Sequence, residues 1–156
     1  MTVLSRAAIQ ARCSEHGGMI YPCEPRTEAH GLSHGLGPAG YDVRLVLGEG
    51  RRVAHLMPGA FLLAATAERF DMPTDVVAIV HDKSSLARKG LSVFNTVIEP
   101  GWRGFLTLEL VNHGKDIITL VEGQGIAQVI FHLLDTPTEG YDGKYQDQEY
   151  GPQVAR

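Results

Sequence analysis

The segment "HDKSSLARKGL", from His81 to Leu91, places two serines between a lysine and an arginine. Serine hydroxyls and backbone N–H groups can donate hydrogen bonds to phosphate oxygens, and an arginine guanidinium can make forked contacts with them. The residues that could bind a phosphate or another anion here are Lys83, Ser84, Ser85 and Arg88. No Walker glycine pattern surrounds them, so the segment is not a P-loop. Two interpretations stay open, an anion-binding loop and the solvated end of a strand.

A carboxylate stands in the downstream run "GFLTLELVN". Alternate side chains of a strand point to opposite faces, so Leu106, Leu108 and Leu110 share one face, which must be the core side. Glu109 and Thr107 then lie on the other face. The pattern alone favours a solvated glutamate. The alternative is a carboxylate held among apolar neighbours in a pocket, where burial would raise its pKa toward general acid/base use.

A second carboxylate, Glu99, directly precedes the Pro100-Gly101 turn and Trp102. A carboxylate in this place is often a turn residue and nothing more.

The tail, residues 136–156, is polar, rich in glycine and tyrosine, and lacks the alternation of a strand. It is either a frayed C-terminus or a lid that orders over a ligand.

Composition limits the classes of function. The net charge of -4 argues against binding to nucleic-acid polymers, and the two cysteines, Cys13 and Cys23, lack zinc-site spacing. We expect both thiols to be reduced, although a bridge between them is possible.

The seven histidines are scattered, and we expect most of them, including His81, at the surface. No signal peptide or membrane-spanning run is visible, which predicts a cytoplasmic protein.

The elements that must position these residues are mostly short strands. One helix is predicted after Ser5 as its N-cap, ending at Gly17-Gly18. Beyond it, glycines and prolines separate brief β-favouring runs such as "YDVRLVL", "VVAIVH", "FLTLELVN" and "AQVIFHLL". This pattern predicts a single, mainly-β domain over residues 1–156, built as a sandwich, jelly roll or barrel.

Several motifs together resemble the dCTP deaminase and dUTPase superfamily. "DKSSLARKGLSV" followed by "IEPGWRGFLTLEL" is similar to its core signature, "(R/K)SSLAR" followed by "IDPGW.G...LE". "LSRAAI", "GPAGYDVRL", "VEGQGIAQVIF" and "GKYQDQEYGP" resemble further family segments, nearly from end to end of the chain. The resemblance implies a homotrimer of distorted β-barrels or jelly rolls with a short N-terminal helix, in which each active site lies between subunits.

The resemblance also implies roles for individual residues. The segment 83–88 would bind the phosphates and the base, with Lys83 as a point charge where arginine is common in the family. Glu99 would hold the sugar 3′-hydroxyl, although most relatives have aspartate there. The remaining substrate-binding positions are Thr96, Val97 and Thr107, and Tyr141, Lys144 and Gln148 from the tail, which would close over the triphosphate.

Glu109 matches a glutamate that the deaminase branch has and plain dUTPases usually lack. This implies zinc-independent deamination of dCTP to dUTP and ammonia, in which Glu109 moves protons while Arg88 and Ser84 orient the base and the water. Mg²⁺ would be bound through the triphosphate.

One departure from the family concerns "VFNTVIE", which is about two residues shorter than the corresponding deaminase hairpin. A dUTP diphosphatase, or a bifunctional enzyme taking dCTP to dUMP, is therefore the nearest alternative, with Glu99 positioning the attacking water. A non-catalytic, nucleotide-binding regulatory trimer is the third.

Overall fold

The computed structural model describes residues 2–14 and 18–156. The helices are α1 (Arg6–Cys13) and the four-residue α2 (Ser84–Ala87). The strands are β1 (Thr2–Val3), β2 (Ile20–Tyr21), β3 (Thr27–Ala29), β4 (Leu32–Leu36), β5 (Tyr41–Val46), β6 (Val53–Leu56), β7 (Phe61–Asp71), β8 (Val76–Asp82), β9 (Leu91–Val93), β10 (Val97–Ile98), β11 (Arg103–Asn112), β12 (Ile118–Val121) and β13 (Gly125–Leu133). The predicted mainly-β fold with a short N-terminal helix is confirmed.

Eleven strands of the described ranges form one sheet, with the main path β10-β8-β13-β5-β7-β11-β9. Strands β12 and β6 form a separate antiparallel pair. The two end strands of the main path, β9 and β10, are joined by residues 94–96 alone. So short a link spans on the order of 13 Å, which means that the sheet must curl until its ends meet.

Backbone hydrogen bonds on both sides of this link fix the meeting point. The Phe94 N–H donates to the Glu109 carbonyl of β11 at 3.0 Å, and the Val80 N–H of β8 donates to the Thr96 carbonyl at 3.1 Å. The residues between the strands therefore bridge the two ends of the curled sheet. Glu109 lies next to this closure.

The core follows the predicted alternation of β11. Leu106, Leu108 and Leu110 are buried and belong to the main hydrophobic cluster, while Thr107 and Glu109 on the opposite face are half-buried. Leucine packing thus fixes the orientation of Glu109, because a shift of one residue would exchange the two faces.

Ser5 caps α1 as predicted, since its hydroxyl accepts from the Ala8 N–H at 3.4 Å. The helix ends at Cys13, earlier than the predicted stop at Gly17-Gly18, and Gly17 lies outside the described residues. Gly18 has φ +81°, and a Cβ there would lie 2.4 Å from the Cys13 carbonyl oxygen. Only glycine fits this close approach to the helix end.

Two histidines are more buried than the sequence suggested. His34 on β4 and His132 on β13 are only 4% and 8% exposed. His81 is half-buried rather than at the surface. Neither helix in the described ranges has the length and apolar character needed to cross a membrane.

Candidate functional site

A pocket of about 590 Å³ opens beside the closure of the sheet. Strands β7 and β11 form one side, residues 96–99 form another, and the C-terminal tail covers the rest. The pocket brings together seven of the predicted site residues, namely Thr96, Val97, Glu99, Thr107, Glu109, Tyr141 and Gln148.

Glu109 has the most unusual environment among the groups that line this pocket. Its Oε2 atom is buried and has no hydrogen-bond partner. Burial raises the pKa of the Glu109 carboxyl above its ordinary value. Burial of a carboxyl oxygen without a partner favours the protonated form, which suits a group that holds a proton.

Thr96 contributes a second unpaired polar atom to the same pocket. Its backbone is fixed by the closure, while its Oγ1 atom is buried without a partner. Buried polar side chains are usually satisfied in folded proteins, so two pocket-lining residues that each hold an unpaired oxygen point to a place for a polar ligand.

Glu99 lies at the end of β10, where it is exposed and lines the same pocket. Its carbonyl accepts from the Trp102 N–H at 3.1 Å across the Pro100-Gly101 turn. The turn explains the backbone position of Glu99 and leaves its carboxylate accessible. Val97, beside it, is also exposed at this pocket.

The tail docks against β11 instead of fraying. Thr107 Oγ1 accepts hydrogen bonds from Gln148 Nε2 and, at 3.1 Å, from the Gln153 N–H. Trp102 Nε1 donates to the Tyr145 carbonyl at 2.7 Å. Gly104 permits this docking, because a Cβ there would lie 2.6 Å from the Gln148 nitrogen. The tail therefore forms part of the pocket wall, as a lid would require.

We call residues 83–88 the serine loop. Ser84, Ser85 and Arg88 are exposed, while Leu86 is buried against the core and anchors the short helix α2. None of the loop's residues lines the pocket around Glu109. One chain thus presents two separate surfaces, a pocket with a buried carboxyl and an exposed loop of hydrogen-bond donors.

Lys83 and Lys144 also lie away from this pocket. The Lys83 ammonium is buried and forms an ion pair with Asp42 Oδ2 at 2.5 Å. Lys144 is exposed and donates to the Arg156 carbonyl. The phosphate contacts expected of both lysines stay predictions.

Two further carboxylates, those of Asp42 and Glu68, were not singled out from the sequence. Glu68 is fully buried on β7, and burial raises its pKa although Arg44 donates to it through Nε at 2.8 Å and its backbone N–H at 2.9 Å. Because Glu68 is paired and lies outside the pocket, it is structural rather than a candidate for proton transfer. No local sequence pattern indicates that Asp42 and Glu68 are buried and paired with basic side chains.

Among the described residues, no group of three or more His, Cys, Asp and Glu side chains is arranged to hold a metal ion. Cys13 and Cys23 carry free thiols and are half-buried beside a second cavity near α1.

The curled, mainly antiparallel sheet with a pocket at its closure defines a dUTPase-like fold. Two solved structures share it: a 2′-deoxycytidine 5′-triphosphate deaminase from Agrobacterium tumefaciens, with a TM-score of 0.65, 21% identity and coverage of 84% of this chain and 47% of that one; and the EIAV dUTPase, with a TM-score of 0.54, 23% identity and coverage of 69% and 85%. At these identities the likeness concerns the fold.

Sequence comparison specifies the family. A family model described as dCTP deaminase-like matches residues 47–134. The dCTP deaminase of Nitrosospira multiformis is 31% identical over 95% of this chain and 96% of its own length. The chain therefore belongs to the dCTP deaminase-like family, as its motifs predicted.

Two other relatives are matched over part of their length. The dCTP deaminase of Halorubrum lacusprofundi is 40% identical over 65% of this chain and 53% of its own length. A protein of Methanosphaera stadtmanae named "dCTP deaminase, dUMP-forming" is 40% identical over 64% and 54%. The chain thus spans about half the length of these two relatives.

Proposed function

We propose that the protein hydrolyses dCTP to dUTP and ammonia without zinc, with Glu109 as the general acid and base. The observation that carries this proposal is the buried, unpaired Glu109 carboxyl with its raised pKa, in a pocket shared with the unpaired Thr96 hydroxyl. The names of the relatives supply the substrate.

In the proposed reaction, the Glu109 carboxyl both accepts and donates the proton that is transferred. Glu109 takes a proton from the water that attacks C4 of cytosine and passes it to the ring nitrogen. After the tetrahedral intermediate forms, the amino group leaves as ammonia with the second proton of the water. A pKa above the ordinary value suits a group that must alternately accept and donate near neutral pH.

Ser84 and Arg88 complete the proposed catalytic set by orienting the base and the water and by stabilising the charge of the intermediate. Ser85 binds phosphate from the same loop. Because the serine loop lies outside the pocket of its own chain, we propose that a second copy in a homotrimer supplies it.

The rest of the pocket binds the substrate. Thr96 and Val97 contact the pyrimidine, and Glu99 holds the sugar 3′-hydroxyl, directly or through water. Tyr141, Lys144 and Gln148 close over the triphosphate from the tail, which Thr107 anchors at the pocket wall. We place the protein in the cytoplasm.

The proposed cofactor is Mg²⁺ bound through the triphosphate. The exposed Ser84, Ser85 and Arg88 fit this mode, since they can donate to some phosphate oxygens while others bind the Mg²⁺. When bound, Mg²⁺ offsets the charge of the triphosphate.

A bifunctional reaction, in which dUTP is further hydrolysed to dUMP and pyrophosphate, is the second candidate. The dUMP-forming name of a relative that is 40% identical favours it, as does the accessible Glu99 carboxylate, which could position water at the α-phosphorus.

Incubation of the purified protein with dCTP or dUTP, with Mg²⁺ and a zinc chelator, tests these candidates when the products are resolved by chromatography. We expect dUTP and ammonia from dCTP and no product from dUTP. Formation of dUMP and pyrophosphate from either nucleotide would replace the first candidate by the second. Binding of both nucleotides without turnover would instead indicate the regulatory alternative, and loss of activity with the chelator would contradict the zinc-independent mechanism.

A further inference from the structure

We propose that Asp42 and Ser33 are positioning residues of the serine loop, and that Lys83 locks the loop in place through them instead of contacting phosphate. This inference rests on the proposed role of the loop as a ligand of the triphosphate. It assigns functions to Asp42 and Ser33 that the sequence motifs did not indicate.

We call the contacts of the Lys83 ammonium with Asp42 and Ser33 the lock. Its Nζ atom lies 2.5 Å from Asp42 Oδ2 and donates to Ser33 Oγ at 3.0 Å. The side chains of Lys83 and Asp42 are only 8% and 10% exposed. An ammonium has three hydrogens to donate, and two are directed at these partners. To reach a phosphate, Lys83 would have to break a buried ion pair and leave the Asp42 charge without a partner, which is costly.

Strand β13 packs closely against the lock. A Cβ on Gly125 would lie 2.0 Å from the Ser33 carbonyl oxygen and 3.4 Å from Lys83 Cε. Glycine at this position therefore lets the strand approach the lysine stem and the Ser33 backbone. The close packing leaves the Lys83 stem little freedom to swing outward.

The backbone of Lys83 connects the lock to the serines. Its carbonyl accepts from the Leu86 and Ala87 N–H groups, both at 2.9 Å, and these bonds begin α2. A four-residue helix is far too short to be stable by itself, so its position depends on its anchors. The buried Leu86 is one anchor and the Lys83 ammonium is the other. The lock thus determines where Ser84 and Ser85 are presented.

A double-mutant cycle separates a lock from a direct phosphate contact. We would measure kcat and KM for Asp42→Asn, Lys83→Met and the double variant. The substrate is dCTP or, if the wild type does not convert dCTP, dUTP. If the pair acts as a lock, each single variant raises KM about tenfold and also lowers kcat, because the displaced loop carries Ser84 and Arg88 of the proposed catalytic set. The double variant is then no worse than either single one. Lys89→Met is the matched control, because it removes an exposed lysine beside the loop.

Three kinetic outcomes would overturn the inference. A KM raised by Lys83→Met and not by Asp42→Asn would identify Lys83 as a phosphate ligand. A double variant with an additive effect of about a hundredfold would show that the two residues act independently. An unchanged KM in all variants would likewise reject a positioning role.

Amide hydrogen exchange of the protein without nucleotide tests the lock independently of turnover. The amides of Leu86, Ala87 and Arg88 are bonded to carbonyls of residues 83 and 84. We expect their exchange to accelerate about tenfold in both single variants and to stay unchanged in Lys89→Met. Unchanged exchange in all variants would overturn the lock. Absence of turnover by the wild type, with the accelerated exchange retained, would instead reject only the proposed function.

Ser33→Ala covers the case in which the charge variants fail to fold. It removes one acceptor of the Lys83 ammonium and retains the ion pair. A smaller acceleration of exchange at the same three amides is expected, and wild-type exchange in this variant would contradict the lock.

Discussion

Glu109 lies half-buried in a pocket with an unpaired carboxyl oxygen, whereas Ser84, Ser85 and Arg88 are exposed on the serine loop, which lines no part of that pocket. Burial raises the pKa of Glu109, which suits proton transfer. The serine loop instead offers accessible donors, which suit a highly charged and hydrated triphosphate. In the proposed function, both regions contribute to one nucleotide site.

A single copy of the chain keeps these two regions apart, so the site that we propose requires them to meet across an interface. The pocket rim provides apolar surface for such an interface. Phe61 and Phe94 lie there with ring centroids 6.3 Å apart, and both are about half exposed, as is Val97. Exposed apolar patches of this kind commonly mark contact surfaces.

The largest expected effect comes from Glu109→Gln, which keeps the shape of the side chain and removes its ability to take a proton. We expect deamination to fall by at least about a thousandfold while nucleotide affinity is largely retained, because the loss concerns only proton transfer. Steady-state kinetics and calorimetric binding measure the two. Glu49→Gln, at a surface position, is the control, and wild-type turnover in Glu109→Gln would contradict the mechanism.

Mixing two inactive variants tests whether the pocket and the loop come from different copies. Glu109→Gln and Arg88→Ala, unfolded and refolded together in equal amounts, should recover activity in about one quarter of the sites, since random assembly pairs an intact pocket with an intact loop that often. Each variant refolded alone is the control. No recovery, with normal assembly of the mixture, would place both halves of the site within one copy.

Thr107→Val should loosen the tail, because it deletes the hydroxyl that accepts from Gln148 and Gln153. We expect KM for the nucleotide to rise about fivefold, the effect of losing roughly 1 kcal/mol of hydrogen bonding. Amide exchange in residues 145–153 should accelerate in parallel. Thr119→Val deletes an exposed hydroxyl on β12, outside the pocket, and should leave both unchanged. An unaltered KM in Thr107→Val would separate the tail from binding.

The smallest expected effect concerns stability. A raised pKa means that folded Glu109 holds its proton more tightly than the unfolded chain does. Its contribution to stability is therefore complete below the ordinary glutamate pKa and is lost as pH rises through the folded value. The free energy of unfolding, measured by urea titration, should thus increase in Glu109→Gln relative to the wild type as pH rises through that window. A constant difference between the two would contradict the raised pKa.

Local patterns were sufficient to predict much of the fold. Ser5 as N-cap, the closely spaced turn residues and the leucine row of β11 are local signals, and the structure confirms the helix start, the strand-rich domain and the buried face. The helix end was predicted too late, because the turn after Cys13 depends on a close contact with Gly18.

The sequence by itself determined which residues share a face and which motifs the chain contains, since alternation and spacing are properties of neighbours in the chain. Whether Glu109 faced solvent or a pocket was decided only by tertiary structure, because the closure at residues 94–96 and the docked tail come from distant parts of the chain. The same holds for Lys83, whose partners Ser33 and Asp42 are fifty and forty-one residues away. Burial and ion pairing depend on which residues pack against a side chain in the folded chain, and a local sequence pattern does not specify those residues.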